Sequence, residues 1–536
     1  MSSEGSDAYL NDMLDMSDNE TVKLKNEKSE IAQFFAGTNV LVTGGTGFLG
    51  TLLVEKLLRS CPDIAVLYMI VRPKKGKSSE ERFKENFAES VYVKLKSEQP
   101  NFLDKVVMLE GDAAQEDFGL SKESKEILMN TNIIFHAAAT VRFDEKFRVS
   151  MNTNVKSTKY MLLFAKQLSN LKAFVHVSTA FSHCISESID EVHYDVPIDG
   201  DKVLTLLDIL DDDMLQKITP ILLEKWPNTY VFSKAIGENM VLKYSNDLPV
   251  CIVRPSIVIS TDKEPVQGWT NNLYGATGVV MAAGVGLMRT LYCKKEKIAD
   301  VIPADYVVAN IISSAWDVAN RRSLAKSNQD STMPDEERTP IYNSVSSCQN
   351  PLSWGDFMYL SEVSHDGHSS TKAVWHYMLV LNRCVYAYHI YSFFLHTIPA
   401  VIIDTFARAT GRKPMCMDTY RKIHKFSKVI SYFSSQEWHF KNDNVMKIWQ
   451  KLNSVDREIF NFNVTNVDWE EYSYRHIRGI RIYMLKESPD ILQEGAKKFK
   501  RLRIAHYTLM TIISLLVLWL VVWFVSFFWS FCPLSG

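Results

Sequence analysis

The sequence has no paired cysteines, no surplus of charge of either sign and no apolar stretch near its amino terminus. Its eight cysteines are scattered over 536 residues without a C-x-x-C pair. This distribution argues against a disulfide framework or a zinc site and favours reduced thiols. The formal net charge of -2 argues against nucleic acid as a main partner. The opening residues, MSSEGSDAYLNDMLDMSDNE, are acidic and serine-rich and lack the apolar core of a signal peptide.

An uncharged apolar run is present near the other end of the sequence, over residues 507–529. As a helix it would be about 34 Å long, enough to cross a hydrocarbon core of roughly 30 Å. The positive-inside rule keeps the basic flank, and with it the rest of the chain, in the cytosol. We therefore expect a tail-anchored protein of the endoplasmic reticulum or the peroxisome, and the sequence leaves the choice of organelle open. The basic residues that precede the run are Lys497, Lys498, Lys500, Arg501 and Arg503.

The stretch NVLVTGGTGFLGTLLVEKLLRS predicts a nucleotide-binding turn. Residues 39–43 form a short apolar run typical of a buried parallel strand, and an amphipathic helix is expected to run to about Arg59. Glycines between strand and helix let the backbone approach a pyrophosphate, whose charge the helix N-terminus favours. The predicted cofactor contacts of this stretch are Thr43, Gly44, Gly47, Phe48, Leu49 and Gly50.

Three further strands are predicted to complete the cofactor site. AVLYMIVRP ends at Arg72, where a cation suits the 2′-phosphate of NADPH better than the ribose hydroxyls of NADH. KVVMLEGD ends at Asp112, a candidate acceptor for the adenine amino group, and NIIFHAAATVRF brings the backbone of Ala137 and Ala138 to the cofactor. Alternating strands and helices, including one from about 147 to 168, predict an α/β Rossmann-type doubly wound parallel sheet.

Two Y-x-x-x-K pairs occur, Tyr230–Lys234 and Tyr92–Lys96, so the pattern alone decides nothing. Ligands bind beyond the carboxyl ends of parallel strands, and Thr179 lies at such an end, after KAFVHVSTAFS and before the helix TYVFSKAIGENMVLKY. Tyr230 and Lys234 would share one face of that helix. Tyr92–Lys96 lies in a polar stretch, and we expect it to be a solvated helix face.

The sequence resembles the extended short-chain dehydrogenase/reductase superfamily, and within it the eukaryotic membrane-bound fatty acyl-CoA reductases. The motifs that carry the resemblance are VLVTGGTGFLG, HAAATVRFDE, FVHVSTAFS, TYVFSKAIGE, IVRPSIV and VIPADYVVANII. The resemblance covers roughly residues 31–485 and implies a mostly helical C-terminal domain of the male-sterility type over about 380–485. The separation of Thr179 and Tyr230 is longer than in compact members, and the extra acidic and leucine-rich segment is either an insertion near the substrate entrance or a surface excursion.

The resemblance implies reduction of a long- or very-long-chain acyl-CoA to a primary alcohol by two NADPH, through an aldehyde. Tyr230 and Thr179 would stabilise the developing oxyanion, with Tyr230 as proton donor. Lys234 would lower the pKa of Tyr230 and hold the nicotinamide ribose. Thr179 is chosen over Ser178 by resemblance, since neighbouring strand side chains point to opposite faces. Tyr230, Lys234 and Pro255 complete the predicted cofactor contacts, and the chemistry needs no metal.

These features together predict a domain organisation. Residues 1–30 are a disordered leader, 31–325 the NADPH-binding reductase domain with substrate-binding insertions, and 326–379 a linker. Residues 380–485 are the C-terminal domain of the reductase family, and 507–529 the transmembrane anchor. The expected partners are acyl-CoA and a lipid bilayer, and the oligomeric state stays open.

Two other functions remain open at this stage. A related NADPH-dependent enzyme such as a sterol dehydrogenase would share the Thr–Tyr–Lys set, and a membrane-tethered protein could hold NADPH without turnover. The glycine-rich residues 260–300 are expected to form a loop around the substrate. The apolar stretch YAYHIYSFFLHTIPAVIIDTFARATG is open to three interpretations: an interfacial hairpin or acyl-tunnel wall, plain core packing, or a membrane span.

Overall fold

The computed structural model describes residues 28–74, 76–327 and 338–530, which form two compact units. The first comprises the chain up to Val266 together with Asp300–Pro351 and Trp438–Val467, and the second comprises Gln267–Ala299, Leu352–Glu437 and the chain from Asp468 onward. The predicted leader lies outside the described residues as far as residue 27, as do residues 328–337 of the predicted linker. The predicted domain boundaries stay a prediction.

A seven-stranded parallel sheet forms the centre of the first unit. The strands lie in the order β7-β6-β5-β4-β1-β2-β3, and every neighbouring pair is parallel. This arrangement confirms the predicted Rossmann-type sheet. The strands are β1 Asn39–Thr43, β2 Val66–Val71, β3 Val106–Glu110, β4 Ile133–His136, β5 Ala173–Val177, β6 Val250–Pro255 and β7 Ile341–Ser344.

The strands are almost wholly apolar because a parallel sheet is covered on both faces. Leu41, Ile134, Phe174 and Ile252, on four successive strands, join one hydrophobic cluster. Helices connect the strands, as parallel pairs require. The helices of this unit are Glu30–Phe35, Phe48–Ser60, Ser79–Ala88, Val93–Glu98, Lys122–Leu128, Phe147–Met151, Ser157–Ala165, Gly200–Ile209, Asp212–Leu223, Thr229–Tyr244, Ala304–Ser327, Asp443–Lys451 and Ser454–Ile459.

Most predicted elements of the first unit are found close to their predicted bounds. The helix expected from about 147 to 168 runs from Phe147 to Ala165 through a π turn at Asn152–Lys156. The apolar run 249–259 divides after Pro255, and its second part, Ile257–Ile259, pairs with Val301–Pro303.

Two predictions about local structure are wrong. Tyr92 is fully buried, and its phenol oxygen accepts a hydrogen bond from Asn86 at 2.9 Å and donates one to the Thr51 carbonyl at 3.2 Å. Lys96 is exposed, so the pair is not one solvated face. Residues 260–300 are not a plain loop, because they contain the helix Ala276–Gly284 and the strand Thr290–Tyr292.

The second unit is mostly helical, as predicted. Within the part of the chain that the structure describes, two helical segments are long and apolar enough to cross a membrane, by length and composition: Val385–Ala409 and Pro489–Trp529. The unit's helices are Ala276–Gly284, Trp354–Asp366, Val385–Ser392, Ile398–Ala409, Cys416–Ser434, Trp469–Gly479 and Leu492–Ser530.

Candidate active site

The glycine turn brings the ends of β1 and β4 into close contact. Gly44 has a φ of +75°, and a Cβ added there would lie 2.7 Å from the Ala138 nitrogen and 2.8 Å from the Ala137 carbonyl. A Cβ on Gly50 would lie 2.1 Å from the Gly44 oxygen, where the turn meets the helix Phe48–Ser60. The N-cap of that helix, Gly47, makes no side-chain cap. A helix N-terminus at such a turn favours an anion such as a pyrophosphate.

Hydrogen bonds of the Thr43 side chain hold the glycine turn against the end of β4. Its hydroxyl is hydrogen-bonded to His136 Nδ1 at 2.8 Å and accepts the Ala138 N–H at 3.3 Å. Burial lowers the pKa of His136 to about 3, so the imidazole is neutral at physiological pH. The Thr43 side chain thus connects the ends of β1 and β4, and Ala137 and Ala138 lie beside the glycine turn. Their predicted contact with the cofactor stays a prediction.

Arg72 and Asp112, assigned separate roles from the sequence, form an ion pair at 3.0 Å beyond the ends of β2 and β3. Both side chains remain partly exposed. A second guanidinium, which the sequence analysis missed, lies beside them. Arg82 donates to the Arg72 carbonyl and, at 2.7 Å, to the Thr46 hydroxyl in the glycine turn.

Burial and the nearby Arg72 guanidinium lower the pKa of Arg82. Two cations therefore lie close together at the end of β2, an arrangement that an anion would stabilise. The signal for Arg82 was weak, because it lies on the helix Ser79–Ala88 and not in the basic loop that follows the strand.

Tyr230 and Lys234 lie one turn apart on the helix Thr229–Tyr244, which Asn228 caps by accepting the Val231 N–H at 3.1 Å. The Thr179 hydroxyl lies close enough to the Tyr230 phenol to lower its pKa. Lys234 is buried and donates to the Val177 carbonyl at 2.7 Å. The structure thus brings the predicted Thr–Tyr–Lys group together at the carboxyl end of β5.

The electrostatics of this group differ from the expectation that Lys234 acidifies Tyr230. Burial raises the pKa of Tyr230 to about 12, and the nearby Thr179 hydroxyl opposes this rise. Burial lowers the pKa of Lys234 to about 8, which Glu238 opposes. The phenolate is disfavoured because it would lose its hydration. Tyr230 is therefore a protonated phenol at neutral pH, in the form that a proton donor requires.

Ser178 and Thr179 point to different partners. Ser178 donates to the carboxylate of Glu238, whereas the Thr179 hydroxyl lies beside Tyr230 and 3.4 Å from the Pro255 carbonyl. The choice of Thr179 over Ser178 agrees with this arrangement. Pro255 ends β6, and its carbonyl also accepts the Ala180 N–H at 2.8 Å.

A buried ionic network lies next to the Thr–Tyr–Lys group, and the sequence analysis did not predict it. Glu238 pairs with Arg254 at 2.6 Å and is also hydrogen-bonded to Ser182 at 3.0 Å and His183 at 3.2 Å. Arg254, the largest contributor after burial, holds the pKa of Glu238 well below its usual value. Arg254 is fully buried and also donates, at 3.1 Å each, to two backbone carbonyls, those of Asp190 and Val192. The sequence feature that could have indicated this network is Arg254, a charged residue inside the apolar run VCIVRP.

The ring of Phe143 lies beside Tyr230, with the two ring centroids 5.6 Å apart. Among the residues that the structure describes, no group of three or more His, Cys, Asp and Glu side chains is placed to hold a metal ion.

Comparisons with known proteins agree on one family. Two family models, both described as male sterility protein, match residues 42–311 and 395–487. Fatty acyl-CoA reductase wat of Drosophila melanogaster is 36% identical over 500 residues, covering 92% of this chain and 93% of that protein. Fatty acyl-CoA reductase 1 of Homo sapiens is 36% identical over 488 residues, covering 91% and 92%.

Solved structures support the fold. The reductase domain of a non-ribosomal peptide synthetase from Mycobacterium tuberculosis matches with a TM-score of 0.56 at 17% identity, covering 88% of this chain and 96% of that one. The terminal reductase domain of the myxalamid pathway matches with a TM-score of 0.53 at 18% identity, covering 87% and 99%.

The parallel sheet with its glycine turn and neighbouring tyrosine and lysine is typical of the extended short-chain dehydrogenase/reductase superfamily, and this chain is an oxidoreductase of that superfamily with a nicotinamide cofactor. Within this superfamily, the chain belongs to the fatty acyl-CoA reductase family.

We expect the buried charge of Lys234 to lower the free energy of unfolding, and an apolar substitution to restore it. Its pKa falls from 10.5 to about 8, so the charged form is disfavoured by about 3 kcal/mol at neutral pH. Lys234→Met removes this cost but also loses a hydrogen bond worth about 1 kcal/mol. We expect the variant to melt at a higher temperature than the wild type at pH 7, measured by thermal unfolding of the full chain in detergent.

The pH dependence of stability shows whether the gain of Lys234→Met comes from removing a buried charge or from better packing. Because the folded-state pKa is lowered, the unfolded chain binds more protons between pH 8 and 10.5, and wild-type stability rises with pH across that window. The advantage of Lys234→Met should therefore shrink from pH 8 to 10.5. Lys96→Met, at an exposed lysine, should leave the profile unchanged. A variant that melts below the wild type at pH 7 would contradict this account.

Proposed function

We propose that this protein reduces long- or very-long-chain fatty acyl-CoA to the primary fatty alcohol with two NADPH, through an aldehyde. The alcohol would supply wax, ether-lipid or hydrocarbon synthesis. The observation that carries the proposal is the Thr179 hydroxyl beside the Tyr230 phenol, with Lys234 one helical turn away, in a chain 36% identical to named fatty acyl-CoA reductases. A nicotinamide bound along the edge of the sheet would supply the hydride.

Each step uses the same side chains. The thioester oxygen accepts hydrogen bonds from Tyr230 and Thr179, which stabilise the negative charge as hydride adds to the carbonyl carbon. The tetrahedral adduct collapses with cleavage of the C–S bond, giving an aldehyde and CoA thiolate, which takes up a proton from water to become the thiol. In the second reduction, Tyr230 donates its proton to the aldehyde oxygen as a second hydride adds to the carbon. The overall change is acyl-CoA, two NADPH and two protons to alcohol, CoA and two NADP⁺.

Lys234 is suited to hold the nicotinamide ribose. Its ammonium is fixed by the Val177 carbonyl and retains two further N–H donors. A pKa of about 8 leaves it mostly charged at neutral pH, which supports binding to ribose hydroxyls and the transfer of a proton back to Tyr230.

Arg72 and Arg82 are proposed to bind the 2′-phosphate of NADPH. The two guanidiniums lie at the end of β2, where a dinucleotide ribose is bound in folds of this class. The depressed pKa of Arg82 reflects their mutual repulsion as well as burial, and a phosphate would relieve that repulsion. Asp112, paired with Arg72 at 3.0 Å, would orient this guanidinium and retain lone pairs for the adenine amino group.

The segment Pro489–Trp529 is proposed to be a membrane anchor. It is long and apolar enough to span a bilayer, and the basic residues between Lys497 and Arg503 precede its apolar part. The positive-inside rule places this basic flank in the cytosol, facing the membrane of the endoplasmic reticulum or the peroxisome.

Replacement of Tyr230 tests the proposed function. Tyr230→Phe keeps the ring but removes the proton donor, so we expect turnover with palmitoyl-CoA to fall by about 10²- to 10⁴-fold. The NADPH dissociation constant should stay within a factor of about two of the wild-type value, since the ring remains in place. Steady-state NADPH oxidation and fluorescence titration measure the two quantities.

Tyr92→Phe is the matched control, because it removes a phenol hydroxyl that is buried in the same unit but belongs to the other Y-x-x-x-K pair. It should lower stability by about 1 kcal/mol and leave turnover per folded molecule unchanged. Wild-type turnover by Tyr230→Phe would refute the assigned role.

Replacement of Arg82 tests the choice of cofactor. Arg82→Gln should raise the dissociation constant for NADPH about tenfold, or about 1.4 kcal/mol, and leave that for NADH unchanged. Lys84→Gln, at an exposed position on the same helix, should change neither constant. Equal weakening of NADPH and NADH would show that Arg82 only supports the glycine turn.

A further inference from the structure

The second unit contains a helical segment, Val385–Ala409, whose amphipathic character is inverted. Five of its residues are buried at intervals of four: Tyr388, Ser392, His396, Ala400 and Asp404. Four of these five carry polar groups. A helix on the surface of a water-soluble domain buries its apolar face instead.

The buried polar groups are satisfied within the unit. Ser392 is hydrogen-bonded to His424 at 2.9 Å, and His396 accepts the Arg289 N–H at 3.0 Å through Nε2. Asp404 accepts three backbone N–H groups at the start of the next helix, those of Met415, Cys416 and Met417, at 2.9–3.0 Å. These contacts fold Val385–Ser434 into a hairpin of two helices, named the hairpin below.

The outer face of the first helix is apolar and exposed. Between Val385 and Ala407 the sequence has no lysine, arginine or glutamate, and its one aspartate is the buried Asp404. The exposed fraction reaches 77% at Tyr386 and 66% at Phe406. A continuous patch of this kind marks an interaction site. Its other large members are Ile390, Tyr391, Phe393, Phe394, Val401, Ile402 and Ile403.

The charge of the hairpin identifies what covers this face. Residues 385–434 carry seven basic side chains and only two acidic ones, one of them the buried Asp404. Arg408, Arg412 and Lys413 lie at the turn, and Lys422 and Lys428 are exposed on the second helix. An apolar face bordered by basic side chains matches lipid acyl chains bordered by anionic headgroups.

The attachment of the hairpin argues against a membrane span. The strand Val380–Asn382, directly before it, pairs with Thr290–Tyr292. At the other end of the hairpin, Ser434 donates to the Tyr292 carbonyl at 2.8 Å. Both ends are thus fixed to one strand and lie on the same side of any bilayer. Deep insertion from the turn would take its three basic side chains into hydrocarbon, which is strongly unfavourable.

We propose that the hairpin lies in the interfacial layer of a bilayer containing anionic lipid, with its apolar face among the upper acyl chains. This is a membrane contact additional to the segment Pro489–Trp529, and it does not depend on the proposed activity. It would hold the second unit flat against the membrane from which a lipid substrate arrives and into which a lipid product leaves.

The depth of the hairpin in vesicles tests the proposal. A fluorescent amino acid replaces Tyr386, Phe394 or Phe406, one at a time, in the full chain reconstituted into vesicles of phosphatidylcholine and phosphatidylserine. Quenching by lipids that carry a nitroxide at different acyl positions measures depth. We expect all three probes at one shallow depth, about 5–10 Å below the phosphates. A probe at Tyr359, which is 65% exposed in the same unit, is the matched control and should not be quenched.

The other outcomes overturn the proposal. A probe at Phe394 that lies far deeper than those at Tyr386 and Phe406 would indicate a span. No quenching at any of the three, with a probe at Trp519 quenched to show an inserted anchor, would indicate that another partner covers the face. Lys422→Gln with Lys428→Gln should weaken quenching at Phe406 on vesicles with phosphatidylserine but not on pure phosphatidylcholine. If the double variant is quenched as strongly as the wild type on vesicles with phosphatidylserine, anionic lipid plays no part in the contact.

Discussion

The ion pair between Glu238 and Arg254 is the interaction on which the candidate active site depends. It joins the helix that carries Tyr230 and Lys234 to β6, and through Ser178 it reaches the end of β5. Both charges are buried, and loss of one partner from such a pair costs about 3–5 kcal/mol because the other is left uncompensated. The pair fixes the helix Thr229–Tyr244, β6 and the end of β5 relative to one another. These elements carry the Tyr230 phenol, the Pro255 carbonyl and the Thr179 hydroxyl, respectively. The pair therefore fixes the positions of the groups that we propose to take part in proton donation.

Burial has opposite consequences for the two titrating residues of the site. It keeps Tyr230 protonated and lowers the pKa of Lys234 to about 8, so both groups can exchange protons in the direction that reduction requires. The same burial destabilises the fold around Lys234, a conflict typical of residues retained for function. The raised pKa of Tyr230 means that Lys234 does not make the free phenol more acidic.

The sequence was most informative where the chemistry depends on local pattern. The strand, glycine turn and helix over residues 39–60 follow from hydrophobic periodicity and from backbone that only glycine permits, as Gly44 and Gly50 show. Contacts between segments distant in the sequence could not be predicted from it. Arg82 reaches the glycine turn from a separate helix, and Glu238 finds Arg254 only because helix and strand pack together. Tyr92 was misjudged because tertiary burial overrode its polar neighbours, and Val385–Ala409 was ambiguous because composition does not say which face is turned inward.

The most direct test of the central claim is the stoichiometry of reduction by the full chain in detergent or vesicles. Purified protein is given palmitoyl-CoA and NADPH, and oxidised cofactor, free CoA and extracted lipid products are quantified together. The account predicts two NADPH oxidised for each CoA released, with hexadecanol as the product. No oxidation with any acyl-CoA from lauroyl to cerotoyl, in a preparation that binds NADPH tightly, would contradict it.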